Sequence, residues 1–406
     1  MNQVIHNMNT ISERLNQVAA KKHKLALGLM SGTSGDGLDV ALSRIGGADF
    51  ETQVELVHFT TINYPEPLQK RIRGVAFQEQ ASLQNLCVLN RDLGKWFGRI
   101  TRKTLNDWRT DPLEVDFIAS HGQTIYHKPA DSTDPAATLQ LGDGDQIARQ
   151  TGVLTLSDFR QKLIAAGGEG APITPFVDRL LFSSPDEPRL LLNIGGIANF
   201  TWLGASDRSP SDIDYIYSDT GPGNTLIDAA TRHFFPGKPF DPDGAIAGRG
   251  EVDEQVLDQL MGHPFFDRDI PKSTGPEAFN FDWVWDILES IDQQDMDAYD
   301  LVATLTRFTT ESIARSIEKL GDRFENTGKM YVSGGGIHNR TLLDGLKGRL
   351  PSLSIDDFSA LGLDPDTREA VSFAVLGNQT LSGRGIPYQH DKSDQLVKPG
   401  KISFPS

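Results

Sequence analysis

The chain has 406 residues, which at about 100–200 residues per domain gives room for two or three domains and a sizeable core. Hydrophobic residues make up 38% and charged residues 23%, as in an ordinary soluble globular chain. Lys+Arg number 39 and Asp+Glu 55, so the net charge is −16; this excludes general nucleic-acid or anionic-membrane binding. A phosphorylated small ligand stays possible, because backbone amides and a metal can hold phosphate against a negative field. Cys87 is the single cysteine, so neither an internal disulfide nor a cysteine metal cage can form.

Residues 1–24 form an N-terminal extension without the apolar core of a signal peptide. Ile5, Met8, Ile11, Leu15 and Val18 recur at helical spacing, which predicts a weak amphipathic helix, docked or frayed. No apolar run reaches the roughly 18 residues of a membrane span, so the expectation is a cytoplasmic protein.

The first domain is expected over residues 25–185. Leu25–Met30 reads as a buried strand, followed by a Gly/Ser/Thr turn and a second strand, Leu38–Ile45. A Walker loop needs a lysine after its glycines and passes straight into a helix; neither feature is present. Residues 65–110 carry helical patterning. Val115–Ser120 reads as a strand ending at His121-Gly122-Gln123-Thr124. Thr138–Leu141 and Val153–Leu156 read as short strands, with a helix over Asp145–Gln150. Ala165–Pro175 holds two glycine pairs and two prolines and predicts a loop.

The second domain, residues 186–390, repeats this grammar after the polar linker Ser183–Pro188. Leu190–Ile194, Gly195-Gly196 and Ala198–Trp202 form another strand, glycine turn and strand. Tyr215–Ser218 leads into Asp219-Thr220-Gly221-Pro222-Gly223-Asn224 and a helix from Thr225. Leu301–Leu320 is helical. Lys329–Ser333 is a strand before Gly334-Gly335-Gly336 and a helix from about Asn339. Glu369–Thr380 is the final helix, and residues 391–406 read as a polar tail. Two halves with one opening pattern predict an internal duplication.

Three glycine turns at the ends of buried strands carry the chemistry. Gly32-Thr33-Ser34-Gly35-Asp36-Gly37-Leu38-Asp39 can aim amides and hydroxyls at phosphate, with Asp36 and Asp39 offered to Mg²⁺. The segment from Gly195-Gly196 to Asn199 has the same logic. Gly334–Gly336 allows close backbone approach to a flat ligand. Taken singly, each also reads as a plain hairpin or strand-end turn.

As a set these turns resemble the sugar-kinase, Hsp70 and actin superfamily, whose two hairpins clamp nucleotide phosphates in a cleft between the domains. The resemblance implies an α/β fold of two ribonuclease-H-like domains. The motifs GLMSGTSGDGLDVAL, ASHGQTIYHKP, TLQLGDGDQIA, GGEGAP, LNIGGIANFT, DTGPGNTLID, FDPDGAIAGRG, PKSTGPEAFN and VSGGGIHNR resemble the anhydro-N-acetylmuramic acid kinase family, from about residue 25 to 388. The family uses ATP and Mg²⁺ to phosphorylate O6 of a 1,6-anhydro sugar while water opens the anhydro bridge, a step of cell-wall recycling.

Carried over by position, the resemblance implies that Gly32–Asp39 hold ATP phosphates and metal. Gly195, Gly196 and Asn199 would form a second clamp, and Gly334, Gly335, Gly336 and Asn339 would hold adenosine. Asp219, Gly221, Gly223 and Asn224 would line the cleft, with His121, Gln123 and Thr124 at the sugar end; His121 also reads as a structural histidine. Glu369 matches a glutamate that holds the sugar and the attacking water. Many enzymes of this size form two-fold dimers, so a homodimer is an open expectation.

One position departs. The family's general base is an aspartate in D-F-R-x-x-D-x-A-x-G-G-x-G-A-P, and here that position is Leu163. Leucine cannot take a proton from water. Glu169 also stands in place of the usual glutamine, and Gly35 in place of a bulky apolar residue. Three accounts follow. Glu169, Asp158 or Glu369 replaces the base; or the substrate is another sugar or hydroxylated metabolite; or the chain binds its ligands without turnover.

Overall fold

The computed structural model describes residues 12–405 except 33–34, 79, 131–133, 207–214, 276–277 and 388–395. The described residues divide into two units. One joins the chain up to Leu181 with the segment from Asp366 onward, and the other runs from Phe182 to Pro365.

In the first unit, β1 (His23–Ser31) is buried on both faces because its run of Leu, Ala, Gly and Met carries no charge after Lys24. It pairs antiparallel with β2 (Gly37–Gly46), which pairs antiparallel with β3 (Gln53–Asn63). β4 (Phe117–Lys128) lies parallel to β1 on its other side, carries β5 (Ala137–Leu141) antiparallel, and is followed by the parallel β6 (Thr155–Ser157). The order along the main path is β3-β2-β1-β4-β6. Leu27, Leu29, Val40, Leu42, Phe97, Ile118 and Ile147 form its core. Each such side chain, fully buried, contributes about 1.5–3 kcal/mol.

The helix Leu83–Asp107 buries Leu89, Leu93, Trp96 and Phe97, a face set by their spacing. The helix Arg368–Ser382 packs on β1, where a Cβ on Gly28 would fall 1.7 Å from the Ala370 carbonyl oxygen. Only glycine permits that approach.

The second unit has β7 (Arg189–Ile194), β8 (Ile197–Leu203) and β9 (Tyr215–Pro222) as an antiparallel meander. β10 (Lys329–Ser333) runs parallel to β7 and β11 (Ser354–Asp357) parallel to β10. The order is β9-β8-β7-β10-β11. Its core joins Leu190, Leu192 and Phe200 of the sheet to Ile227, Phe266, Leu305 and Phe308. Both sheets therefore share one ribonuclease-H-like plan: an antiparallel meander, then two parallel strands beyond its first member. The expected duplicated α/β architecture is the one observed.

Several local expectations change. The final helix and the residues after it belong to the first unit, whereas the sequence assigned 186–390 to one second domain. The reason is long-range packing on β1, β2 and β4, which local pattern does not carry. The stretch read as a tail supplies a strand, Lys401–Ser403, paired antiparallel to β6, and Leu396–Val397 pairs with Ile386–Pro387. Of the N-terminal extension, residues 12–20 are helical with Val18 buried, and the Ser382 hydroxyl donates to the Ala19 carbonyl at 2.9 Å. Residues 1–11 lie outside the described residues. No helix among the described residues is long and apolar enough to cross a membrane.

Candidate functional site

In the first unit the connection from β1 to β2 is shaped by a buried polar network. The Ser31 hydroxyl lies 2.9 Å from the Gly37 carbonyl, 2.7 Å from the Tyr64 hydroxyl and 2.6 Å from Gln123 Oε1. Gln123 Nε2 donates to the Gly32 carbonyl at 2.9 Å and to that of Thr124 at 3.2 Å. Gln123 is completely buried, so it acts by holding the loop. Burial pushes the Tyr64 phenol well above its ordinary range, so it stays neutral. Gly35 has φ +63° and its amide meets the Gly32 carbonyl at 3.2 Å. Thr33 and Ser34 lie outside the described residues.

The two aspartates offered to Mg²⁺ keep different company. Asp36 is exposed, with Gln69 Nε2 at 3.3 Å and Arg73 at 3.5 Å. Asp39 accepts from the Thr61 hydroxyl at 2.6 Å. Desolvation raises the Asp39 pKa; the Thr61 bond opposes this and nearby Asp366 adds to it. Leu38 between them is a core residue, so any contact to nucleotide there runs through its backbone.

His121 spends both ring nitrogens inside the protein. Nε2 accepts from Arg160 Nε at 3.0 Å, which leaves the proton on Nδ1 to donate to the Gly122 carbonyl at 2.9 Å. The ring packs on Phe373 with centroids 4.7 Å apart. Burial first, then the Arg160 charge, push its pKa down to about 3, so it is neutral at working pH. Thr124 is buried and its hydroxyl lies 3.5 Å from Gln140 Nε2. The sugar-end residues of the sequence reading thus act mainly on other protein groups.

Leu163 is buried in the helix Phe159–Ala165. The three carboxylates named as replacements differ. Asp158 precedes this helix with φ 55° and pairs with Lys401 at 3.1 Å. Glu169 is exposed in the glycine-rich loop. Glu369 opens the helix Arg368–Ser382, and its side chain is reached by solvent while protein surrounds it closely. Desolvation raises its pKa, Arg368 and Arg160 oppose, and Asp39 and Asp178 push it further up. Glu369, Asp39 and Arg160 therefore share one electrostatic neighbourhood.

In the second unit the β7–β8 turn is held by backbone. The amides of Gly223 and Asn224 donate to the carbonyls of Gly196 and Gly195, each at 2.8 Å, and the Thr225 hydroxyl donates to Gly196 at 2.7 Å. A Cβ on Gly223 would lie 2.3 Å from the Gly195 carbonyl oxygen. Asn224 Nδ2 donates to the Ile194 carbonyl at 3.0 Å. Gly334 has φ +82°, and a Cβ there or on Gly336 would strike Ile194. The Gly334-Gly335-Gly336 turn therefore packs on the end of β7 with room only for glycine at Gly334 and Gly336. Asn199 faces Asn193 and Asp219 across the sheet. Asn339 is buried and caps the helix Arg340–Arg349, accepting from the Leu342 amide at 3.0 Å.

Asp219 is buried, accepting from the Tyr217 hydroxyl at 3.0 Å and the Thr274 amide at 2.9 Å. Burial raises its pKa and these bonds oppose the rise. Gly221 has φ +131° and faces the Phe266 ring. Lys272 of the PKSTG segment is buried, donates to the Phe265 carbonyl at 3.0 Å and sits 4.2 Å from the centroid of that ring. The sequence reading passed over Arg160, Asp178, Arg368 and Lys272. Arg160, Asp178 and Arg368 work through partners distant in the chain, and Lys272 through the nearby Phe265. The only local signal for Arg160 was its place in the D-F-R motif.

The family model described as anhydro-N-acetylmuramic acid kinase matches residues 24–393. A protein of Pseudoalteromonas atlantica named anhydro-N-acetylmuramic acid kinase is 43% identical, over 98% of this chain and all of its own length. One of Caldanaerobacter subterraneus with the same name is 39% identical, over 97% of this chain and all of its own. With a match over nearly its whole length and a common strand plan in both units, the chain belongs to the anhydro-N-acetylmuramic acid kinase family.

Proposed function

We propose that the chain is an ATP-dependent sugar kinase acting on 1,6-anhydro-N-acetylmuramic acid. O6 takes the γ-phosphoryl group of ATP and releases ADP. Water attacks C1, the C1–O6 bond breaks, and the water proton passes to a carboxylate. The observation that carries this reading is Glu369. It is open to solvent, its pKa is raised, and it neighbours Asp39 and Arg160. A carboxylate whose pKa is raised is a better base than an ordinary one. Leu163 cannot serve, and Asp158 is engaged by Lys401.

The glycine turns Gly32–Asp39 and Gly195–Asn199 are proposed to hold the ATP phosphates, and Gly334–Gly336 the adenosine. Among the described residues no group of three or more His, Cys, Asp or Glu gathers into a metal cage. That suits Mg²⁺, which takes one or two carboxylates and fills its shell with phosphate oxygens and water. Asp39 fits best, since a cation would relieve its repulsion with Asp366. The ion would neutralise charge on the transferring phosphate.

The test is ADP release from Mg-ATP and the anhydro sugar, with the product weighed by mass spectrometry. A product heavier by one phosphate and one water is expected, and Glu369→Gln should lower kcat by about 10²–10⁴-fold. A second reading, a kinase of a plain sugar hydroxyl, is favoured by the apolar Leu163. In that case no label from ¹⁸O water enters the anomeric position.

A further inference from the structure

Arg368 and Glu369 are consecutive at the start of one helix, yet they do not pair. Arg368 reaches to Asp178 instead, with Nε 2.8 Å from one carboxylate oxygen and Nη2 on the other. Asp178 sits on the helix Thr174–Phe182 and is completely buried. A buried carboxylate needs a cationic partner, so this clamp is strongly held. Among the described residues no hydrogen bond or ion pair reaches the Glu369 carboxylate. The other charges that face it are Arg160, whose Nε is given to His121, and Asp39.

The alternative geometry is present in the same unit. Arg91 and Asp92 are also consecutive on a helix, and Arg91 donates to Asp92 from Nε at 3.0 Å and Nη2 at 2.8 Å. An arginine directly before an acid can therefore close onto it. Asp178 draws Arg368 the other way.

We propose that Asp178 is a positioning residue: by clamping the Arg368 guanidinium through both carboxylate oxygens it keeps that cation off Glu369, leaving the Glu369 carboxylate open to substrate and water. The catalytic consequence rests on Glu369 acting as the base. A carboxylate chelated by guanidinium is a poor proton acceptor.

The test is a crystal structure of Asp178→Asn together with steady-state kinetics. Arg368 is expected on Glu369, with kcat about tenfold lower or more and KM for ATP unchanged. Removing the released cation as well, in Asp178→Asn/Arg368→Gln, should recover most of kcat, which a merely structural role would not produce. Arg368 turned to solvent in the single variant overturns the proposal. If that variant does not fold, the double variant decides: a rate near wild type supports the clamp, and a loss as large as that of Glu369→Gln overturns it. If Arg368 moves onto Glu369 but Glu369→Gln keeps the wild-type rate, the base reading fails while the clamp stands. If Glu369→Gln is inactive and Arg368 does not move, the clamp alone fails.

Discussion

The two hairpin connections occupy equivalent places in the two sheets but are built from different materials. That from β1 to β2 is held by side chains: Ser31, Tyr64 and Gln123 form a buried polar cluster that fastens Gly32. The β7–β8 turn is held largely by backbone: the amides of Gly223 and Asn224 meet the carbonyls of Gly196 and Gly195, and a Cβ on Gly223 would fall 2.3 Å from the Gly195 carbonyl oxygen. A duplicated fold thus anchors the chain at a sheet end by two routes. The first route is vulnerable to loss of a polar atom, and the second to gain of a carbon.

The largest effect should come from adding that carbon. Gly223→Ala places a methyl 2.3 Å from the Gly195 carbonyl, so the turn must move. Overpacking of this kind costs about 1–3 kcal/mol, and KM for ATP should rise about tenfold or more with a lesser effect on kcat. Gln123→Ala, in the first connection, removes the acceptor of the Ser31 hydroxyl and the donor to the Gly32 carbonyl, while Ser31 keeps Tyr64 and the Gly37 carbonyl. Each hydrogen bond lost costs about 0.5–1.5 kcal/mol, read as a lower Tm, whereas Gln123→Glu keeps an acceptor and should lose less. An unchanged Tm for Gln123→Ala would end the side-chain account of the first connection.

Leu163→Asp sharpens the contrast between chemistry and nucleotide binding. Restoring a carboxylate at the family's base position should raise kcat about tenfold with KM for ATP unchanged, the reverse of Gly223→Ala. A flat kcat would count against an impaired anhydro-sugar kinase.

The remaining effects are in pH, and they too separate the units. Burial and Arg160 depress the His121 pKa from 6.5 to about 3, so the unfolded chain binds a proton there that the fold refuses. Stability should therefore fall as pH drops below 6.5, by at most about 1.4 kcal/mol per pH unit, and His121→Gln should flatten that slope. In the second unit burial depresses the Lys272 pKa from 10.5 to about 8, with Lys319, Arg268 and Arg315 adding to it. Here stability should rise as pH climbs from 8 to 10.5, and Lys272→Met should abolish the rise.

What could be read in advance follows the range of the interactions. Buried apolar runs ending in glycine, such as Leu25–Met30 and Leu190–Ile194, announced their strands and turns because both signals are local. β3 and β11, both edge strands, escaped notice; β11 is only the short, acidic Ser354–Asp357. The family base position was legible as Leu163, but its helix was not, being short and flanked by loop residues. The charges around Glu369 were illegible for a stronger reason: Asp178 and Arg368 are 190 residues apart, and no window of sequence holds both.

The return of the helix Arg368–Ser382 and the strand Lys401–Ser403 to the first sheet also sets an order of events during synthesis. The second unit draws its described residues from one stretch between Phe182 and Pro365, so all of its material is available before Asp366 emerges. The first unit must wait with β1 lacking its covering helix and β6 with an open edge until Lys401–Ser403 arrives. Domains fold as their residues become available. The half of the chain made first is therefore the half that finishes last, and its exposed strand edge is where a chaperone would be needed.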